Sequence, residues 1–178
     1  MPLFPTLEIA EKSDFPRIYE IMRNAFPPTE TRSQNGQLSL IEHKYYKIYI
    51  KRQNNEIIGF LSIWEFDGAN FIEHFAIDEN CRSGGIGSKM LKEYLDFSTK
   101  PVFLEVEPPD NEIAARRIEF YKRLGFYLND YEYFQPPMRI GQPPLPLKIM
   151  TYPAAIEEEL FKHYKKTAAE IAYKAGIE

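Results

Sequence analysis

Six residues, Arg82-Ser83-Gly84-Gly85-Ile86-Gly87, constrain this chain more than any other stretch. They lie between an apolar, β-prone run, Phe71–Asp78, and Ser88–Phe97, where Met90, Leu91, Tyr94 and Leu95 recur at helical spacing. A strand that passes through a glycine turn into a helix belongs to an α/β layered fold. The opening N–H groups of such a helix have no internal partners, and its dipole is positive there. Glycines let an anion approach those N–H groups closely. Arg82 adds a guanidinium suited to phosphate. The turn therefore reads as a diphosphate site. A Walker loop would end in Gly-Lys-Ser/Thr, but Gly87 is followed by Ser88-Lys89. A Rossmann turn would carry a third glycine where Met90 stands, so both nucleotide readings weaken.

The rest of the chain supplies layers for this unit. A short strand is expected at Thr6–Ile9, then a helix capped by Ser13 or Asp14 with Pro16 in its first turn. Ile18, Ile21, Met22 and Ala25 give that helix an apolar face, and Pro27-Pro28 stops it. Thr29–Gly36 reads as loop and Leu38–His43 as a short helix. Three antiparallel strands come next at Tyr46–Arg52, Ile57–Phe66 and Phe71–Asp78, joined by Asn54-Asn55 and Asp67-Gly68. Gly59 marks a bend or bulge. Beyond the glycine turn come a strand at Val102–Glu107, a helix at Asn111–Leu124 capped by Asp110, and a strand at Phe126–Phe134. A loop with five prolines, Gln135–Pro146, leads to a strand at Leu147–Tyr152. A C-terminal helix at about 154–176 carries Ile156, Leu160, Tyr164, Ala168 and Ile171 on one stripe. No repeat or linker divides the 178 residues, so one domain is expected over 1–178.

Composition removes other classes. A formal charge of -4 disfavours nucleic acid as a partner. The single cysteine, Cys81, excludes an internal disulfide framework and a CxxC zinc site, and points to a reducing, cytoplasmic setting. Met1-Pro2-Leu3-Phe4-Pro5 lacks the basic and apolar regions of a secretory signal, no run is long enough for a membrane span, and no metal site is expected.

Arg82, Gly85 and Gly87 match, in register, the Q/R-x-x-G-x-G/A signature that comes after an apolar strand in the GNAT superfamily of N-acetyltransferases. Downstream, Phe120-Tyr121-Lys122-Arg123-Leu124-Gly125-Phe126 is similar to that family's Y-x-x-x-G-F helix end. The resemblance covers roughly Ile57–Phe126, and two ordered motifs make it specific. It implies a mixed, mostly antiparallel central sheet flanked by helices, with a splayed parallel strand pair at the cofactor site. It implies acetyl-CoA as cosubstrate. Its pantetheine arm would lie along the backbone of Phe75, Ala76 and Ile77. Its pyrophosphate would sit on Arg82, Ser83, Gly84, Gly85, Ile86, Gly87 and Ser88. The acceptor would be an amine of a small molecule or peptide, and a homodimer is compatible with it.

In the family's chemistry the leaving thiolate needs a proton and the amine must lose one. Tyr121 matches the family's general acid by residue and register. Family glutamates on this strand commonly draw the amine proton through water, so the resemblance implies Glu73 as the base; strand alternation, which places it on one face with Phe71, Phe75 and Ile77 and points His74 the other way, suits that role. Glu105 and Glu107, which share a face of the next strand, are alternatives. Many family members carry an asparagine seven residues before the tyrosine; here that position is Ala114, with Asn111 one turn earlier. Cys81 and Trp64 read as structural. The acceptor pocket would be built from Phe26–Gly36 and Tyr131–Pro146, with Phe26, Tyr131, Tyr133 and Phe134 as an aromatic wall. Glu30, Glu73 and Glu105 would favour a cationic amine; Arg32 or Arg139 would instead hold a carboxylate. The rival reading is a domain of the same fold that binds acyl-CoA without turnover.

Overall fold

The structure, a computed structural model, describes residues 6–178, so the Met1–Pro5 segment read above lies outside the described residues. In chain order the elements are β1 (Glu8–Ile9), α1 (Phe15–Ala25), α2 (Gln34–Ser39), β2 (Tyr46–Gln53), β3 (Glu56–Glu65), β4 (Asn70–Ile77), α3 (Ile86–Phe97), β5 (Val102–Val106), α4 (Glu112–Arg123), β6 (Tyr127–Gln135), β7 (Leu145–Tyr152) and α5 (Glu158–Thr167). The strands form one sheet in the order β1-β2-β3-β4-β5-β7-β6. Every neighbouring pair is antiparallel except β4–β5, as the resemblance implies. The β2–β3 turn is the two-asparagine hairpin expected, with Asn54 at φ 52° and Asn55 at φ 66°.

Two apolar cores form, one on each face of the sheet. Ile18, Ile21 and Met22 of α1, with Phe161 and Tyr164 of α5, pack on one face. Met90, Leu91 and Tyr94 of α3, with Ile118 of α4, pack on the other. The helix expected at Leu38–His43 starts earlier because Ser33 caps it, its hydroxyl accepting the Gly36 N–H at 3.0 Å. It ends in a 3-10 turn, Leu40–Glu42.

The C-terminal helix also differs from expectation. Residues up to Glu157 are held out of it, since the Asn129 side chain accepts the Ile156 N–H at 3.0 Å and Thr151 donates to the Ala154 carbonyl at 2.6 Å. After Thr167 the helix widens into a π turn, Ala168–Ala172. Its buried stripe runs through Phe161, Tyr164, Ala168 and Ala172, and Leu160 is 41% exposed.

Register shifts occur at two places in the β2–β4 hairpins. One leaves Ile58 unmatched beside Gly59, where a bulge was expected. The other lies on β4: Ser62 faces His74 and Ile63 faces Ile72, so Glu73 is the extra residue. The second shift sets the geometry of the site.

Candidate active site

β4 and β5 pair only through Asn70–Val102, Phe71–Phe103 and Ile72–Leu104. Beyond that point β5 continues on β7 and β4 continues on β3, so the two strands diverge. A cavity of about 420 Å³ fills the gap, with Phe75, Ala76 and Ile77 on one wall and Leu104 and Val106 on the other. On the β5 side the backbone of β4 past Ile72 has no strand partner, leaving an edge that an extended chain can join.

The glycine turn closes one end of this cavity. Gly84 and Gly85 take φ 71° and 69°, the left-handed region that a side chain resists. Gly85 caps α3 without a side chain, and the first helical bond runs from the Lys89 N–H to its carbonyl at 3.0 Å. The N–H groups of Ile86, Gly87 and Ser88 are therefore free of helical partners. Arg82 donates its Nε to the Ile77 carbonyl at 3.1 Å, which ties the guanidinium to the end of β4. At Gly87 a Cβ would lie 3.5 Å from Phe75 and 3.6 Å from Ile77, a normal contact on the cavity floor. Arg82, Gly85, Ile86, Gly87 and Ser88 line the cavity; Ser83 and Gly84 form the outer bend and do not. The fit to a diphosphate is good on these grounds: three unpaired N–H donors, a guanidinium and a floor without a side chain.

The β4 bulge overturns the expected alternation. Glu73 and His74 both turn toward the face of α1 and α5, and Phe75 and Ile77 turn to the face of α3 and α4. The Glu73 side chain is wholly buried, with both carboxylate oxygens on Arg32 at 2.9 Å. Arg32 is equally buried and also donates to the carbonyls of Ala172 at 2.6 Å and Ala175 at 2.8 Å. Burial alone would raise the Glu73 pKa, but the Arg32 charge outweighs it and holds the carboxyl below its usual range. His74 is buried, which pushes its pKa down; its Nε2 donates to the Glu30 carbonyl at 2.7 Å.

Tyr121 reaches the cavity from α4 and is 8% exposed. Burial pushes its phenol up to about 12, against a small opposing effect of Arg117. Glu105 enters from β5. Burial, helped by the charges of Glu73 and Glu30, raises it to about 7 against the hydroxyls of Tyr173 and Tyr133. Its Oε1 accepts a hydrogen bond from Tyr173, and its buried Oε2 has no partner among the described residues. Glu30, also in the lining, is raised by burial and by Glu107.

Other expected residues go elsewhere. Phe26 lines the cavity, but Tyr131 packs on Phe161 and Phe134 is 50% exposed. Arg139 is spent on the Thr31 carbonyl at 2.9 Å. Asn111, whose side chain accepts the Ala114 N–H at 2.9 Å, caps α4. Arg117, Gln135 and Tyr173 were not singled out from the sequence. Tyr173 had no local signal, because the π turn aims it inward.

Among the described residues no helix is long and apolar enough to cross a membrane, and no group of three or more His, Cys, Asp or Glu could hold a metal. The description of the acetyltransferase (GNAT) family matches residues 15–126. The Bacillus subtilis (strain 168) protein named "Putative acetyltransferase YjbC" is 31% identical over 110 residues, which are 61% of this chain and 55% of that protein. The match thus spans about half the length of that relative. A Bacteroides thetaiotaomicron structure titled as from the GNAT family is 31% identical, covers 94% of this chain and 97% of its own, and superposes with a TM-score of 0.88. The Salmonella typhimurium yncA structure, titled as holding acetyl-CoA, shares the fold at 20% identity, with 86% of this chain and 98% of that one covered and a TM-score of 0.61. With the family description spanning more than half of the chain, and a GNAT-family structure superposing over nearly all of it, this protein belongs to the GNAT acetyltransferase family.

Proposed function

We propose that the protein transfers the acetyl group of acetyl-CoA directly to a primary amine of a small molecule or peptide. The observation that carries this reading is one cavity lined by the glycine turn, Tyr121 and Glu105. Bound acetyl-CoA would supply an activated thioester. The unpaired edge of Phe75, Ala76 and Ile77 would hold its pantetheine arm. The free N–H groups of Ile86, Gly87 and Ser88, with Arg82, would hold its pyrophosphate.

Tyr121 stays protonated at neutral pH and gives a hydrogen bond, then a proton, to the departing sulfur. A thiolate whose thiol has a pKa near 8.5 is a weaker base than this phenolate, so most of the benefit comes from the hydrogen bond before transfer. Glu105, nearer to neutrality than a free carboxyl, takes the proton from the amine nitrogen as the new C–N bond forms and C–S breaks. Glu73 is the less suitable base of the two, because both of its oxygens are bound to Arg32.

The acceptor class is set by the same groups. Glu30, Glu105 and Glu107 line the cavity and favour a cationic amine. Arg32 and Arg139, the candidates for a carboxylate on the acceptor, are engaged by protein groups. Cys81 is not in the lining, which favours direct transfer over an acyl-enzyme.

A thiol-release assay across amines tests the reading. Release with cationic amines, lost in Tyr121→Phe, is the expected outcome. Acetyl-CoA binding without release on any amine would favour a non-catalytic acyl-CoA sensor instead.

A further inference from the structure

The C-terminal segment lies beyond the residues that match the family description, yet it contributes to the chemistry side of the cavity. We infer that Tyr173 is a positioning residue: its hydroxyl, oriented by Gln135, holds the Glu105 carboxyl by Oε1 and leaves Oε2 to act as the base.

The geometry that supports this begins in the backbone. After Thr167 the helix takes one π turn, closed by the Tyr173 N–H bonding the Ala168 carbonyl at 3.0 Å. The extra residue rotates the end of the segment by about 100° relative to a continuous α-helix, and Tyr173 faces the sheet. Its ring lies 6.2 Å from that of Phe71, and the residue is fully buried. Arg32 holds the end of the turn through the Ala172 and Ala175 carbonyls, and Glu73 holds Arg32. The buried ion pair is in this way a clasp for the segment that carries Tyr173.

Donor count then fixes the direction of the hydrogen bonds. The Gln135 amide donates to the Tyr173 oxygen at 3.0 Å. A phenol so engaged turns its single proton to the next acceptor, which is Glu105 Oε1. Oε1 is thereby occupied, and Oε2 remains without a protein partner among the described residues. The charged and titratable groups facing Glu105 are Tyr173 from the C-terminal turn, Tyr133 from β6, Glu73 from β4 with Arg32 behind it, and Glu30 from the turn after α1. The two hydroxyls favour the ionised carboxyl and the two glutamates oppose it.

The test has two readouts, because the inference rests on the acyl-transfer reading for only one of them. The first is a carbon-13 titration of glutamate carboxyls in the full chain, with Glu105→Gln assigning the resonance. Tyr173→Phe should raise the titration midpoint of that carboxyl by about one pH unit. Gln135→Leu should raise it by less, since the phenol keeps its proton but loses its orientation. The second is the pH profile of kcat/KM, whose acidic limb should move upward by the same amount with the KM for acetyl-CoA unchanged. An unmoved carboxyl resonance in Tyr173→Phe overturns the inference. Should Tyr173→Phe fail to fold, Gln135→Leu decides alone by the same criterion. A chain that turns over no amine, yet shows the shift, overturns the acyl-transfer reading and leaves Tyr173 in its role.

Discussion

At Glu105 the protein holds a carboxyl where its charge is resisted, first by burial and then by the charges of Glu73 and Glu30, and its pKa reaches about 7. The unfolded chain would hold it near 4.3. Below that value both states are protonated and folding gains nothing from the group. As pH rises toward 7 the unfolded carboxyl ionises first, so the folded state loses stability; above 7 the loss is complete. At about 1.36 kcal/mol for each pH unit, the rise from near 4.3 to about 7 bounds it at about 4 kcal/mol. Glu105→Gln should therefore melt several degrees higher than the native chain at pH 8 and at the same temperature near pH 4, while kcat falls by roughly 10²-fold or more. Calorimetric scans at the two pH values check this; a variant less stable at pH 8 would mean that the carboxylate is structural. Tyr121→Phe should behave differently. Its phenol, at about 12, does not ionise in the working range, so kcat and kcat/KM should fall together with little change in acetyl-CoA affinity by titration calorimetry.

Among the elements, the turn into α3 was legible in the sequence because its chemistry is local. Gly84 and Gly85 take positive φ angles that a side chain resists, and the helix after them keeps its period. Tyr121 was legible for the same reason, as its spacing to Gly125 lies within one helix end. The β4 bulge was not. Nothing local in Phe71–Asp78 shows that His74, and not Glu73, will pair with Ser62, since that choice depends on a fully buried Arg32 drawing the carboxylate down. Alternation is a rule for regular pairing, and one extra residue reverses every face beyond it. Two predictions belong here. Gly87→Ala should keep or raise stability by up to about 1 kcal/mol, because alanine suits a helix and its methyl fits, yet weaken acetyl-CoA binding about tenfold by filling the cradle. Melting and binding measured on one sample would reveal the opposed signs. Glu73→Gln should cost about 3–5 kcal/mol by leaving the Arg32 charge buried and unpaired, whereas Arg32→Met combined with Glu73→Leu should cost less. Urea titrations separate this clasp from a base, whose loss would spare folding.

For the whole molecule, the two cores use one sheet as a common wall, so neither can loosen without exposing the other face. Residues matching the family end at Phe126, but the face carrying α1 is completed by later residues. Phe161, Tyr164, Ala168, Ala172 and Tyr173 are each no more than 4% exposed. Removing them would uncover the three aromatic side chains alone at about 1.5–3 kcal/mol each. It would also strip Arg32 of two carbonyl acceptors and leave the Glu73 pair open to water. The sum, roughly 5–9 kcal/mol from the aromatics, is comparable with the entire stability of an ordinary domain. A chain ending at Glu157 should therefore show no cooperative urea transition and a collapsed near-ultraviolet circular dichroism signal, although every residue of the glycine turn and Tyr121 is present. If that shortened chain unfolded at the native midpoint, the C-terminal segment would be an appendage, and the clasp through Arg32 could not be the element that holds Tyr173 against Glu105.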